Sequence, residues 1–104
     1  MANYVLVYKG GKMPETPAQQ EAVMAAWGQW YGGLGAAVVD GGNPFGPSSA
    51  VATDGTVSQG APSQLTGYTI LAADTLAAAT EMAKGCPVLA GGASIEVYEV
   101  FPVM

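Results

Sequence analysis

Asn3 to Tyr8, NYVLVY, is an unbroken run of β-branched and aromatic residues after its asparagine, and Lys9-Gly10-Gly11 closes it. Such a run predicts a buried strand. The period then changes. Thr16-Pro17-Ala18-Gln19 places a capping threonine, a proline at the first helical position and a glutamine at the third, so a helix is expected to begin there. Val23, Ala26, Trp27, Trp30, Tyr31 and Leu34 follow at spacings of three and four, forming one apolar stripe. Gly28, Gly32 and Gly33 each weaken this helix by about 1 kcal/mol relative to alanine, so it depends on tertiary packing. Gly35 suits the helix end, and Ala36 to Asp40 reads as a second strand stopped by Gly41-Gly42.

The stretch from Asn43 to Gln64 is rich in glycine, proline and serine and reads as mostly loop. Within it, Ala50 to Thr53 and Thr56-Val57 flank Asp54-Gly55, which predicts a hairpin with a two-residue type I′ turn. Leu65 to Ala72 is a further strand. Asp74 is the expected N-cap of a helix through TLAAATEMAK, with Leu76, Ala79, Met82 and Ala83 inward and Gly85 and Pro87 ending it. Ser94 to Val100 is the last strand. The order β-α-β-(ribbon)-β-α-β fits an α+β, ferredoxin-like antiparallel sheet with both helices on one face and a small hairpin insertion.

Composition changes this picture in one respect. Half of the 104 residues are hydrophobic and 11% are charged, against about 25% in a typical soluble domain. One domain spanning residues 1–104 has too little polar surface to cover itself, so a homodimer is expected, with a second copy on the sheet face that the helices leave open. A net charge of −5 with three lysines and no arginine gives no footprint for nucleic acid. The first strand is too short for a signal peptide core or a membrane span, so a cytoplasmic protein is expected. One cysteine allows no internal disulfide, and the absence of histidine removes the Ser-His-Asp, Cys-His and His-zinc classes of chemistry.

Five segments in order, YVLVYKGG, AWGQW, VVDGGNPFG, LTGYTILAAD and GGASIEVYEVFPV, resemble the YCII-related, or DGPF-type, domain proteins over nearly the whole chain. The resemblance implies a ferredoxin-like subunit whose sheets pair into a dimeric α/β barrel, an architecture that holds ligands between sheet and helices. It does not carry over a histidine–aspartate mechanism. The DGPF motif falls on Asp54-Gly55-Thr56-Val57, matching at two positions, and Cys86-Pro87 stands where relatives carry a histidine before the proline.

The candidate chemistry is therefore sparse. Asp40 and Asp54 are the carboxylates beside glycine-rich loops, each either a general base or an ordinary turn aspartate. Trp27, Trp30 and Tyr31, with Asn43 nearby, form either a ligand wall or part of the core or dimer interface. Cys86 reads as a small buried residue rather than a nucleophile, because a helix C-terminus disfavours a thiolate. Glu96 and Glu99 lie three apart on a strand and so point to opposite faces. No metal-ligand spacing and no cofactor motif occur. Three functions follow: a module binding an apolar or weakly polar metabolite, an isomerase or lyase using Asp40 or a strand glutamate, and a structural protein without a pocket.

Overall fold

The structure is a computed structural model describing residues 1–102. Strand β1 (Ala2–Lys9) leads to helix α1 (Pro17–Leu34), strand β2 (Val38–Asp40), a ribbon of β3 (Ser49–Val51) and β4 (Val57–Gln59), strand β5 (Leu65–Ala73), helix α2 (Leu76–Ala83) and strand β6 (Ser94–Val100). The main sheet runs β2-β5-β1-β6 with every neighbour antiparallel, and β3 and β4 pair only with each other. The chain is thus α+β, with two helices and antiparallel sheets.

Side chains alternate across a strand, so the register assigns each residue to a face. Leu6 lies opposite Thr69 on one side and Val97 on the other, and Tyr4 opposite Leu71 and Glu99. Tyr4, Leu6, Tyr8, Leu71 and Ala73 on this face are buried. Trp30 of α1 and Ala83 of α2 join Leu6, Tyr8 and Leu71 in one cluster, and Ala79 of α2 joins Tyr4 and Ala73 in a second. Both helices therefore cover the same face. The opposite face carries Val5, Val7, Ile70 and Ala72, half-buried by their neighbours alone, with Tyr98 and Val100 exposed beside them.

Several local expectations are corrected. The cap of α2 is Thr75, whose Oγ1 accepts from the Ala78 N–H at 3.0 Å, and not Asp74. This one-residue shift turns Leu76 outward, leaving it 50% exposed. The second strand is shorter than its apolar run because Gly35–Ala37 coils into a 3-10 turn. Thr16 caps α1 as expected, accepting from the Gln19 N–H at 3.1 Å. The reciprocal bond reaches one residue further back, from the Glu15 N–H to Gln19 Oε1 at 2.8 Å. Residues 17–25 of α1 are all exposed, Val23 included, so the apolar stripe is shielded from Ala26 onward only.

The hairpin forms with a different turn. Ala52 N–H donates to the Thr56 carbonyl at 2.7 Å and Gly55 N–H to the Ala52 carbonyl at 2.9 Å, which leaves three residues in the loop. Gly55 has φ +89° while Asp54 stays on the negative side. This is a turn followed by a left-handed glycine bulge, which needs positive φ at one residue where a type I′ turn needs it at two.

Between β2 and the ribbon the chain turns at Gly42, with φ +78°, against the β5 backbone. A Cβ built there would lie 1.6 Å from the Tyr68 carbonyl oxygen. Gly42→Ala is expected to destabilise the fold by at least about 2 kcal/mol, and so to lower the melting temperature by roughly 10 °C. Thermal unfolding against wild type checks this; an unchanged transition would contradict the packing at Gly42.

Candidate functional site

The aromatic stripe of α1 stands over the C-terminal end of β1. Trp27 meets Tyr8 edge-on, with ring centroids 5.8 Å apart at 65°, and Trp30 at 5.6 Å and 77°. Edge-on contact sets the positive rim of one ring against the negative face of the other, worth about 0.5–1.5 kcal/mol per pair beyond the area buried. Trp30 Nε1 donates to the Met82 carbonyl at 3.0 Å, tying α1 to the last turn of α2.

A chain of hydroxyl groups runs beneath the rings. The Cys86 thiol donates to Tyr8 Oη at 3.7 Å, and Tyr8 Oη donates to Thr69 Oγ1 at 2.5 Å. Thr69 in turn donates to the Gly41 carbonyl at 3.1 Å, and Tyr31 Oη donates to the same oxygen at 2.9 Å. Every buried polar side-chain atom among the described residues has a partner.

Burial disfavours the charged forms of these groups. It drives the Tyr8 hydroxyl far above its ordinary value, and the Thr69 hydrogen bond offsets only part of the rise. Burial likewise raises Tyr31, and it raises the Cys86 thiol against opposing hydrogen bonds from the Val88 backbone and Tyr8. All three are neutral at pH 7. They act as hydrogen-bond donors, and Cys86, 3% exposed, is no thiolate nucleophile.

Above this floor opens a cleft of about 1080 Å³, between α1 and the loops that follow β1 and β2. Its volume lies at the upper end of ligand sites, roughly 300–1,000 Å³. Tyr8, Trp27, Trp30 and Tyr31 give it aromatic walls, and Asn43 and Lys12 line it from the loops. Of the four residues expected to bind ligand, Trp27, Trp30, Tyr31 and Asn43, all line it.

Asp40 does not share this site with Tyr31. A register irregularity in β2 sets Val38 opposite Leu71 on the helix side but Asp40 opposite Ile70 on the open side. Its Oδ1 accepts from the Gly42 N–H at 2.8 Å and its Oδ2 from Tyr68 Oη at 3.3 Å. Asp40 is a turn carboxylate on the far face of the sheet. Asp54 lies in the hairpin loop, where hydrogen bonds from Thr56 hold its carboxyl below the ordinary range. Glu99 shares the helix-side face and Glu96 the open face, where it accepts from Tyr98 Oη at 2.9 Å; both are exposed. Among the described residues no three cysteine or carboxylate side chains converge as metal ligands do.

Tyr8, Thr69 and Lys12 belong to the site without having been singled out in the sequence. The alternation carried part of the signal, because Tyr8 is in phase with Tyr4 and Leu6, and Thr69 with Gly67 and Leu71. Which inward residues border empty space is a tertiary property. Compared with family models and with curated proteins, the sequence gives no match.

The raised thiol and tyrosine groups fix the sign of an alkaline effect. Each folded-state value lies above its unfolded one, so the stability it contributes is complete below the unfolded value and is lost as pH rises through the folded one. Stability is expected to decline above about pH 8.5 through Cys86 and again above about pH 10 through Tyr8 and Tyr31. Urea titrations across pH 7 to 11 check this, and Cys86→Ala is expected to remove the first decline while keeping the second.

Proposed function

We propose that this protein is a small-molecule-binding module of the YCII-related kind, a ferredoxin-like subunit that pairs through its open sheet face into a dimeric α/β barrel. One observation carries the binding reading. The aromatic cleft beneath α1 stands over a floor whose hydrogen bonds are already satisfied within the chain. A filled core without a pocket does not describe this arrangement. Catalysis by a carboxylate draws less support, because no aspartate or glutamate lines the cleft.

The strand order β2-β5-β1-β6, with both helices on one face, supports the ferredoxin-like assignment. Surface area supports the pairing. The chain exposes 7120 Å² where a compact monomer of its mass exposes about 5,400 Å². The excess, about 1,700 Å², is ample for a standard interface, which takes about 800 Å² from each partner. The shape agrees: the principal extents are 44 × 39 × 17 Å, and the radius of gyration of 15.1 Å exceeds the roughly 13 Å of a compact chain this long. A slab two layers thick with apolar side chains on its bare face gains most by stacking on its own copy.

Two measurements test this reading. In a panel of apolar and weakly polar metabolites, at least one is expected to raise the melting temperature in step with ln(1 + [L]/Kd). Trp27→Ala is expected to abolish that shift and Asp40→Asn to preserve it; a panel without a hit would remove the binding reading. Sedimentation at micromolar concentration is expected to give the mass of two chains, and of one chain for Ile70→Glu, which sets a charge on the open face. A one-chain mass for wild type would overturn the pairing.

A further inference from the structure

The cleft has a charge pattern that the whole chain does not. The sequence carries eight acidic residues and three lysines, yet among the described residues the cleft is lined by no acid and by one lysine, Lys12. Chance placement would favour acids. Glu15 lines only a shallower depression adjoining the cleft, which Lys12 also borders. Exposed charges further than about 8 Å away are largely screened at physiological salt, so the local pattern outweighs the net charge of −5 at the site.

Hydrogen-bonding capacity points the same way. Tyr8, Trp30, Tyr31 and Tyr68 each spend their ring donor within the chain, on Thr69, Met82, Gly41 and Asp40 in turn. Trp27 is the exception: its indole N–H has no partner among the described residues, and the ring is half-buried on the cleft wall. The uncommitted polar groups of the cleft among the described residues are the Trp27 indole N–H and the Lys12 ammonium, which can only donate, and the Gln29 and Asn43 amides, which can donate and accept. A ligand that met the first two with donors would leave them unpaired, whereas an anionic acceptor satisfies both.

We propose that the cleft takes a planar aromatic carboxylate, its rings against Trp27 and Tyr8 and its carboxylate toward Lys12 and the Trp27 indole N–H. This rests on the binding-module reading and specifies its ligand class. A flat apolar ring system suits a wall built from edge-on rings, which offers a neighbouring face for stacking. A single carboxylate suits a site with one cation and no opposing acid.

Calorimetric titration of the full chain with 2-naphthoate, 2-naphthamide and 2-naphthylmethylamine tests the proposal. The carboxylate is expected to bind more tightly than the amide by up to about fivefold, the upper range for one exposed ion pair. The protonated amine is expected to bind weakest. Lys12→Gln is expected to erase the preference for carboxylate over amide, with the carboxylate losing more affinity than the amide. Trp27→Phe, which keeps a ring and removes the N–H, is expected to weaken the carboxylate more than the ester methyl 2-naphthoate, and Glu15→Gln to weaken neither. Lys12 is exposed, so its substitution is not expected to disturb the fold, and unchanged thermal unfolding verifies that. If the amide or the amine binds as tightly as the carboxylate, or if Lys12→Gln leaves the preference intact, the ligand class is wrong and the binding module survives. If no naphthalene probe binds and the broader metabolite panel is also silent, the module reading falls with it.

Discussion

The Gly41 carbonyl oxygen is where the two layers of the molecule are joined by polar bonds. Thr69 reaches it from the centre of the sheet and Tyr31 from the last turns of α1, each donating a hydroxyl hydrogen. A carbonyl oxygen has two lone pairs to offer, and here both are used. The consequence spreads in both directions. Thr69, having given its hydrogen to Gly41, is left as an acceptor for Tyr8, and Tyr8 as an acceptor for the Cys86 thiol. The order of donors leaves each group one role. Tyr31 is held at the sheet by the same oxygen, which sets the rotation of α1 and so the direction in which Trp27 and Trp30 present their rings. A helix whose first half is uncovered keeps a defined angle because its second half is fastened in this way.

That geometry separates Asp40 from Tyr31. Asp40 and Tyr31 both approach the turn at Gly41, but from opposite sides of the sheet. The irregular pairing of β2 with β5 is the cause: it carries Asp40 to the Ile70 side while Tyr31 stays with Thr69. The other carboxylates lie in turns or at exposed positions of helices and strands, so among the described residues the space beneath α1 is bounded by rings, aliphatic side chains, glycines, one lysine and amides. Such a lining offers a shaped apolar surface with a few hydrogen-bonding groups on it.

Much of this fold was legible in the sequence, because its elements have strong local causes. The Thr16 cap, the apolar runs of β1 and β5, and the proline after α2 indicated element type and order before any tertiary information entered. Details that depend on competition between neighbours were not legible. Asp74 and Thr75 are both good caps, and only the packing of Ala79 and Ala83 selects the threonine, turning Leu76 outward. The hairpin signature at Asp54-Gly55 identified the ribbon but not its loop length, since the same dipeptide serves a two-residue turn and a three-residue loop. At the site, the ring wall could be read from helical spacing. Tyr8, Thr69 and Lys12 could not, because their part depends on what lies across a gap between segments distant in the chain.

The position of β1 has a consequence for how the molecule is made. β1 leaves the ribosome before β5 and β6, yet it is an interior strand of the sheet, flanked by β5 on one side and β6 on the other. Its partners end at Ala73 and Val100, so the pairing on both sides of β1 cannot be complete until Val100 has been synthesised. Translation at about 5–20 residues per second leaves NYVLVY unpaired for some seconds. During that interval an apolar strand with two open edges is free to meet other nascent chains. Lys9, Gly10, Gly11 and Lys12 directly follow it, and charge and glycine at that point discourage such pairing until the proper neighbours arrive.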